Sequence, residues 1–134
     1  MITSEKYIDF VTETFSYLIE EFDYENGNVK INGNIFYDVE FKNIDSVISI
    51  SLETLENYPR VVIFKSENGI LSDYDDRTKT THLNQLTKEI LPNLDKIDFE
   101  LNERYFEIIK TETEIEKLIL KSAKELRICL KNKK

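Results

Sequence analysis

With 134 residues, one cysteine and no apolar run longer than Val61-Val62-Ile63-Phe64, the chain suits one domain with its own core. It excludes an intramolecular disulfide framework and offers nothing near the ~18 apolar residues of a membrane helix. Charge divides unevenly, −14 over residues 1–116 and +6 over residues 117–134, for −8 overall. An acidic body repels phosphate backbones, which excludes nucleic acid as a partner of the main domain.

The first segment, MITSEKYIDF, carries Glu5 and Asp9 where a secretory leader would be basic and then apolar. With a single thiol, that points to a reducing, cytoplasmic location and no membrane contact. Ile8, Val11, Phe15, Leu18, Ile19 and Phe22 recur at three- and four-residue spacing, so residues 4–22 read as one amphipathic helix capped by Thr3 or Ser4. Glu20 and Glu21 fall on its polar side. Gly27, after Asn26, is expected to close the helix or turn the chain.

From Asn28 the period becomes two. Val29 and Ile31, then Ile35, Tyr37, Val39 and Phe41, alternate with polar residues, and Asn32-Gly33-Asn34 between them predicts a hairpin with a three-residue loop. Ile48, Ile50 and Leu52 mark a third strand. Val61 to Phe64, apolar at every position and entered at Pro59, mark a fourth that is covered on both faces. All three glycines follow an asparagine and read as turn chemistry, the last joining the fourth strand to a short one at Ile70-Leu71-Ser72.

The last third is helical: a stripe at Leu83, Leu86, Ile90 and Leu91 stopped by Pro92, a second around Phe99 to Ile109, and a third from Ile115 to Leu130. Thr113 and Glu116 form a capping-box pattern at the start of the third. Its cations match the preference of a helix C-terminus for positive charge. The whole is a single α+β domain, residues 1–134. It has an N-terminal helix, an antiparallel sheet of four to five strands, and two to three C-terminal helices on one face.

The chemistry-bearing residues are few. Asp73, Asp75, Asp76 and the sole histidine, His82, lie within ten residues. As a calcium loop begun at Asp73 the stretch fails, since Arg77 and Thr78 stand where an oxygen ligand and a glycine are needed. Zinc would need more than one histidine or a nearby cysteine. The aspartates suit a tight turn, with Thr80 or Thr81 capping the next helix. Cys129, between Ile128 and Leu130, reads as a core residue. Asp38 and Glu40 share a strand face with Phe36 and are expected to remain solvated there.

No catalytic residue, metal ligand or cofactor is assigned. The candidate partner-binding residues are Phe36, Asp38, Glu40, Asp73, Tyr74, Asp75 and Asp76: an aromatic flanked by acids, and an acidic loop. The expected function is a non-enzymatic acidic module that binds a basic protein, in the manner of an immunity protein or antitoxin that masks a nuclease toxin. The alternatives are a cytoplasmic chaperone for a secreted protein and a metal-dependent phosphate hydrolase using the Asp73–Asp76 carboxylates. The sequence leaves the oligomeric state open.

Overall fold

The computed structural model describes residues 1–67, 70, 71 and 80–133. Helices α1 (Ser4–Thr14) and α2 (Tyr17–Phe22) precede strands β1 (Glu25–Asn32), β2 (Phe36–Lys42), β3 (Ser46–Glu53), β4 (Tyr58–Glu67), β5 (Ile70–Leu71) and β6 (Thr80–His82). Helices α3 (Leu83–Ile90), α4 (Lys96–Phe106) and α5 (Glu114–Asn132) follow, with a 3-10 turn at Leu91–Asn93. The strands pair antiparallel in the order β1-β2-β3-β4, and β6 and β5 share the outer edge of β4. The architecture is α+β, as the alternation of periods predicts.

One sheet face carries the core. Val39, Ile50 and Val61 lie side by side across β2, β3 and β4, as do Tyr37 with Leu52 and Phe41 with Ile48. These residues are buried together with Tyr7, Val11, Phe15, Leu18, Leu86, Phe106, Ile119 and Leu126 from the helices. Each such aliphatic or aromatic side chain contributes about 1.5–3 kcal/mol on leaving water. Three buried tyrosines keep their hydroxyls satisfied: Tyr7 donates to Ile50 O at 2.6 Å, Tyr17 to Ala123 O at 2.8 Å and Tyr37 to Ile2 O at 3.1 Å. These bonds pin α1 to β3, α2 to α5, and β2 to the N-terminus.

The N-terminal segment is two helices where periodicity suggests one. Thr3 caps α1, accepting from Lys6 N–H. At roughly 100° per residue, an unbroken helix would set Phe15 and Tyr17 about 160° apart around its axis, too wide for one buried stripe. The break at Phe15-Ser16 lets both rings be fully buried. Thr14 and Ser16 turn their hydroxyls back onto Phe10 O and Glu13 O there, as hydroxyls at helix irregularities do. Asp23, with φ 62°, ends α2, and Tyr24 N–H reaches back to Leu18 O at 3.0 Å. Gly27 therefore closes nothing. It lies in β1 at a bulge opposite Glu40, where an added Cβ would stand 2.9 Å from Glu40 O.

The first hairpin has its three-residue loop one position later than expected, at 33–35, with Asn32 opposite Phe36. Gly33 takes φ +55° there, and Ile35 occupies the turn, not the ladder. Adjacent Val61 and Val62 on β4 are both buried although they face opposite sides of the sheet. His82, not Thr80 or Thr81, caps α3, in a reciprocal box with Gln85, whose Oε1 accepts from His82 N–H at 2.7 Å. The two threonines belong to β6. Thr113 caps α5 as its pattern predicts, accepting from Glu116 N–H, while the Glu116 carboxylate reaches Glu112 N–H. No helix among the described residues is long and apolar enough to cross a membrane.

Candidate functional site

The second face of the sheet is read from its cross-strand rows. Asn32, Phe36, Glu53 and Tyr58 form the row nearest the hairpin tips; Lys30, Asp38, Ser51 and Arg60 form the next. Glu40, Ser49, Val62 and His82 form a third. Asp38 and Glu40 are not the solvated acids that alternation suggests: they are only 6% and 8% exposed. β2 is an interior strand, so side chains from both neighbours, Lys30 on β1 and Ser49 and Ser51 on β3, crowd these short carboxylates. Ser49 Oγ donates to Asp38 Oδ1 at 2.6 Å, and Lys30 Nζ lies 3.4 Å from Glu40 Oε2. Burial pushes the Asp38 carboxyl above its ordinary value and the neighbouring Glu40 charge adds to that, while the Ser49 hydroxyl and the Lys30 ammonium pull it down. Their neighbours hold both carboxyls within the sheet and leave them little exposed to solvent.

Phe36 is half-buried at the rim of the same face, beside a surface that the alternation of residues does not reveal. The turn after β2's first neighbour and the β3–β4 turn are fastened together: Thr54 N–H donates to Ile35 O at 3.0 Å and its hydroxyl to Asn34 O at 2.9 Å. Asn57 adopts φ 52° to close the second turn, and Arg60 braces it through Glu56 at 2.7 Å. These joined tips expose Ile35 (54%), Leu55 (91%) and Tyr58 (55%) at the end of the sheet that carries Phe36, with Glu53 between Phe36 and Tyr58 in the end row. Ile35 and Leu55 sit in turns, where no period marks them as facing anything.

Glu20, Glu21 and Arg127 form the second arrangement missed from sequence. Arg127 of α5 is buried and grips Glu21 of α2 through Nε at 2.7 Å and Nη2 at 3.0 Å, while Nη1 donates to Asn102 Oδ1 at 2.9 Å. Its guanidinium lies 3.9 Å from the Tyr105 ring centroid, and Tyr105 in turn donates to Glu20. Lys131 and Lys124 complete the cluster on Glu21 and Glu103. Part of the basic C-terminal helix thus neutralises acids of the same body. The Arg127 hydrogen bonds hold the Glu21 carboxyl below its ordinary value, against a burial that alone would raise it.

Cys129 is fully buried, and burial pushes its thiol up to about 11, which keeps it protonated among its apolar neighbours near neutral pH. His82 serves α3 as its cap. Among the described residues, no three His, Cys, Asp or Glu side chains gather closely enough to hold a metal ion. Asp73, Tyr74, Asp75 and Asp76 lie outside the described residues, and with them the carboxylates of the hydrolase reading. Comparisons with protein-family models, with curated proteins and with solved structures return no match.

Proposed function

We propose that the chain is a non-enzymatic protein-binding module that docks on a basic partner, immunity- or antitoxin-like in covering the basic face of a protein such as a nuclease toxin. The observation that carries this reading is the pair of mutually fastened hairpin tips that expose Ile35, Leu55 and Tyr58 at the end of the sheet that carries Phe36. A rigid apolar and aromatic patch rimmed by charge is the usual form of an interface centre, and its rigidity lowers the entropy lost on docking. The net charge of −8 gives the chain an acidic surround, to which the exposed Glu5, Asp9 and Glu13 of α1 contribute. Such a surround speeds encounter with a basic protein and selects against acidic ones.

The test is affinity capture from the source organism at low salt, with the wild-type chain and the Ile35→Ser/Leu55→Asp variant immobilised side by side. The reading expects a basic protein retained by the wild type, released by salt, and lost from a variant that melts at the same temperature. No basic protein on the wild type, or equal retention by the variant, overturns it.

A chaperone for a secreted protein is the second reading, favoured by the exposed stripe Ile97, Leu101 and Ile108 on and just beyond α4. Light scattering separates the two: an obligate dimer supports the chaperone, a monomer the masking module.

A further inference from the structure

Helix α4 buries one side and leaves the other bare. Asn102 and Phe106 are buried against the body, where Asn102 Nδ2 donates to Lys124 O of α5 at 2.9 Å. At roughly 100° per residue, Ile97, Leu101 and Ile108 fall within about 40° of one another on the far side. Glu107 keeps right-handed helical backbone as the cap, so Ile108 continues the stripe. The three side chains are 54%, 54% and 83% exposed. A helix of a globular protein turns its apolar stripe inward, so a stripe that faces solvent marks a contact surface.

The charges along that side select the partner. Lys96, Glu100, Arg104 and Glu107 run beside the stripe in the order plus, minus, plus, minus, three or four residues apart. From the other end the order is minus, plus, minus, plus. A second copy laid antiparallel therefore sets Lys96 of each copy against Glu107 of the other, and Glu100 of each against Arg104 of the other. Ile97 then meets Ile108 across the two-fold axis, and Leu101 packs on the apolar stem of Arg104. A parallel copy would set like charges together. Among the described residues, Arg104 and Glu107 have no ion-pair partner in their own chain. Lys96 reaches Glu100 only at 3.8 Å, with both side chains exposed, so these charges are not spent inside the fold.

We infer that α4 is a self-association surface: a second copy of this chain packs its own α4 antiparallel on the stripe, with Arg104 of each copy paired to Glu100 of the other. One helix pair buries less than the roughly 1,200 Å² of a standard interface. Each copy already has its own core, so the dimer forms in the micromolar range and dissociates on dilution. That separates it from the obligate dimer of a chaperone. The surface shares no residue with the hairpin tips and stands or falls independently of the masking role.

Sedimentation velocity on the intact chain, from about 5 μM to about 1 mM, is the test. The wild type should pass from monomer to dimer across that range. Leu101→Glu should stay monomeric and melt like the wild type, since its side chain already faces solvent in the monomer. Arg104→Glu and Glu100→Lys should each weaken self-association about tenfold, because two attractive contacts become repulsive. Mixed in equal amounts, these two variants should form a heterodimer about as strong as the wild-type homodimer, a rescue that the antiparallel meeting of residues 100 and 104 provides. Ile35→Ser/Leu55→Asp should dimerise like the wild type. A wild-type monomer at every concentration would overturn the inference and leave the stripe to a foreign client. A dimer indifferent to Leu101→Glu, failure of the mixed variants to pair, or loss of the dimer in the tip variant would overturn it as well.

Discussion

Removing Glu21 should cost more stability than removing Arg127, although the two share the same hydrogen bonds. Arg127 is 7% exposed at its side chain and Glu21 27%. Glu21→Ala strands a buried guanidinium with Asn102 Oδ1 at 2.9 Å and the Tyr105 ring as its remaining partners. Breaking a buried pair in that sense costs about 3–5 kcal/mol. Arg127→Met keeps most of the packed stem. It leaves Glu21 free to turn towards water, with Lys131 still 3.3 Å away, and Asn102 keeps its bond to Lys124 O at 2.9 Å. The cost is then closer to that of a lost polar contact, about 1–3 kcal/mol.

For a domain of this size a loss of 1 kcal/mol lowers the melting temperature by roughly 3–5 °C, so Glu21→Ala should melt ~10–20 °C lower and Arg127→Met by about half of that or less. The double variant should lose less than the two single losses combined, because the stranded charge is gone. Scanning calorimetry at pH 7 decides. An Arg127→Met loss equal to or greater than that of Glu21→Ala, or losses below ~3 °C for both, would refute the reasoning.

The sign of the pH dependence follows from the same contacts. The Glu21 carboxyl titrates lower in the folded state than in the unfolded one. Its contribution is therefore complete above the unfolded value of about 4.3 and disappears as the pH falls through the folded value, and the gap between wild type and Glu21→Ala should close on acidification. Asp38 has the opposite sign. Its folded value is raised, so it favours folding below the unfolded aspartate value, and that benefit is lost as the pH rises through the folded one. Asp38→Asn, which retains an acceptor for Ser49, should raise the melting temperature at pH 7 and change it less at pH 4. Gly27→Ala brings a Cβ to 2.9 Å from a backbone oxygen and should cost about 1–3 kcal/mol, whereas Gly33→Ala meets no atom within 4 Å and bears only left-handed strain of about 1–2 kcal/mol. Denaturant titration ranks the two. Cys129 should react with a thiol reagent only at the rate of unfolding, and fast labelling of the native chain would contradict its burial.

The periods of two and 3.6, the Thr3 and Thr113 caps, the three-residue hairpin loop and the stop at Pro92 are local properties, set by residues within a few positions of one another. They are legible in the sequence, and with them the α+β order and the core face of β2 and β3. Position along a strand tells which face a side chain takes but not what stands beside it. Alternation therefore put Asp38 and Glu40 on the right face, and only the flanking strands decided that they are buried. The Glu21–Arg127 pair spans 106 residues, and Thr54 meets Asn34 and Ile35 because the two turns end at the same height of the sheet. No local pattern encodes such meetings. They follow from strand register and from the packing of α5 against α2 and α4, and they decide which charges are spent inside the fold and which apolar side chains stay exposed.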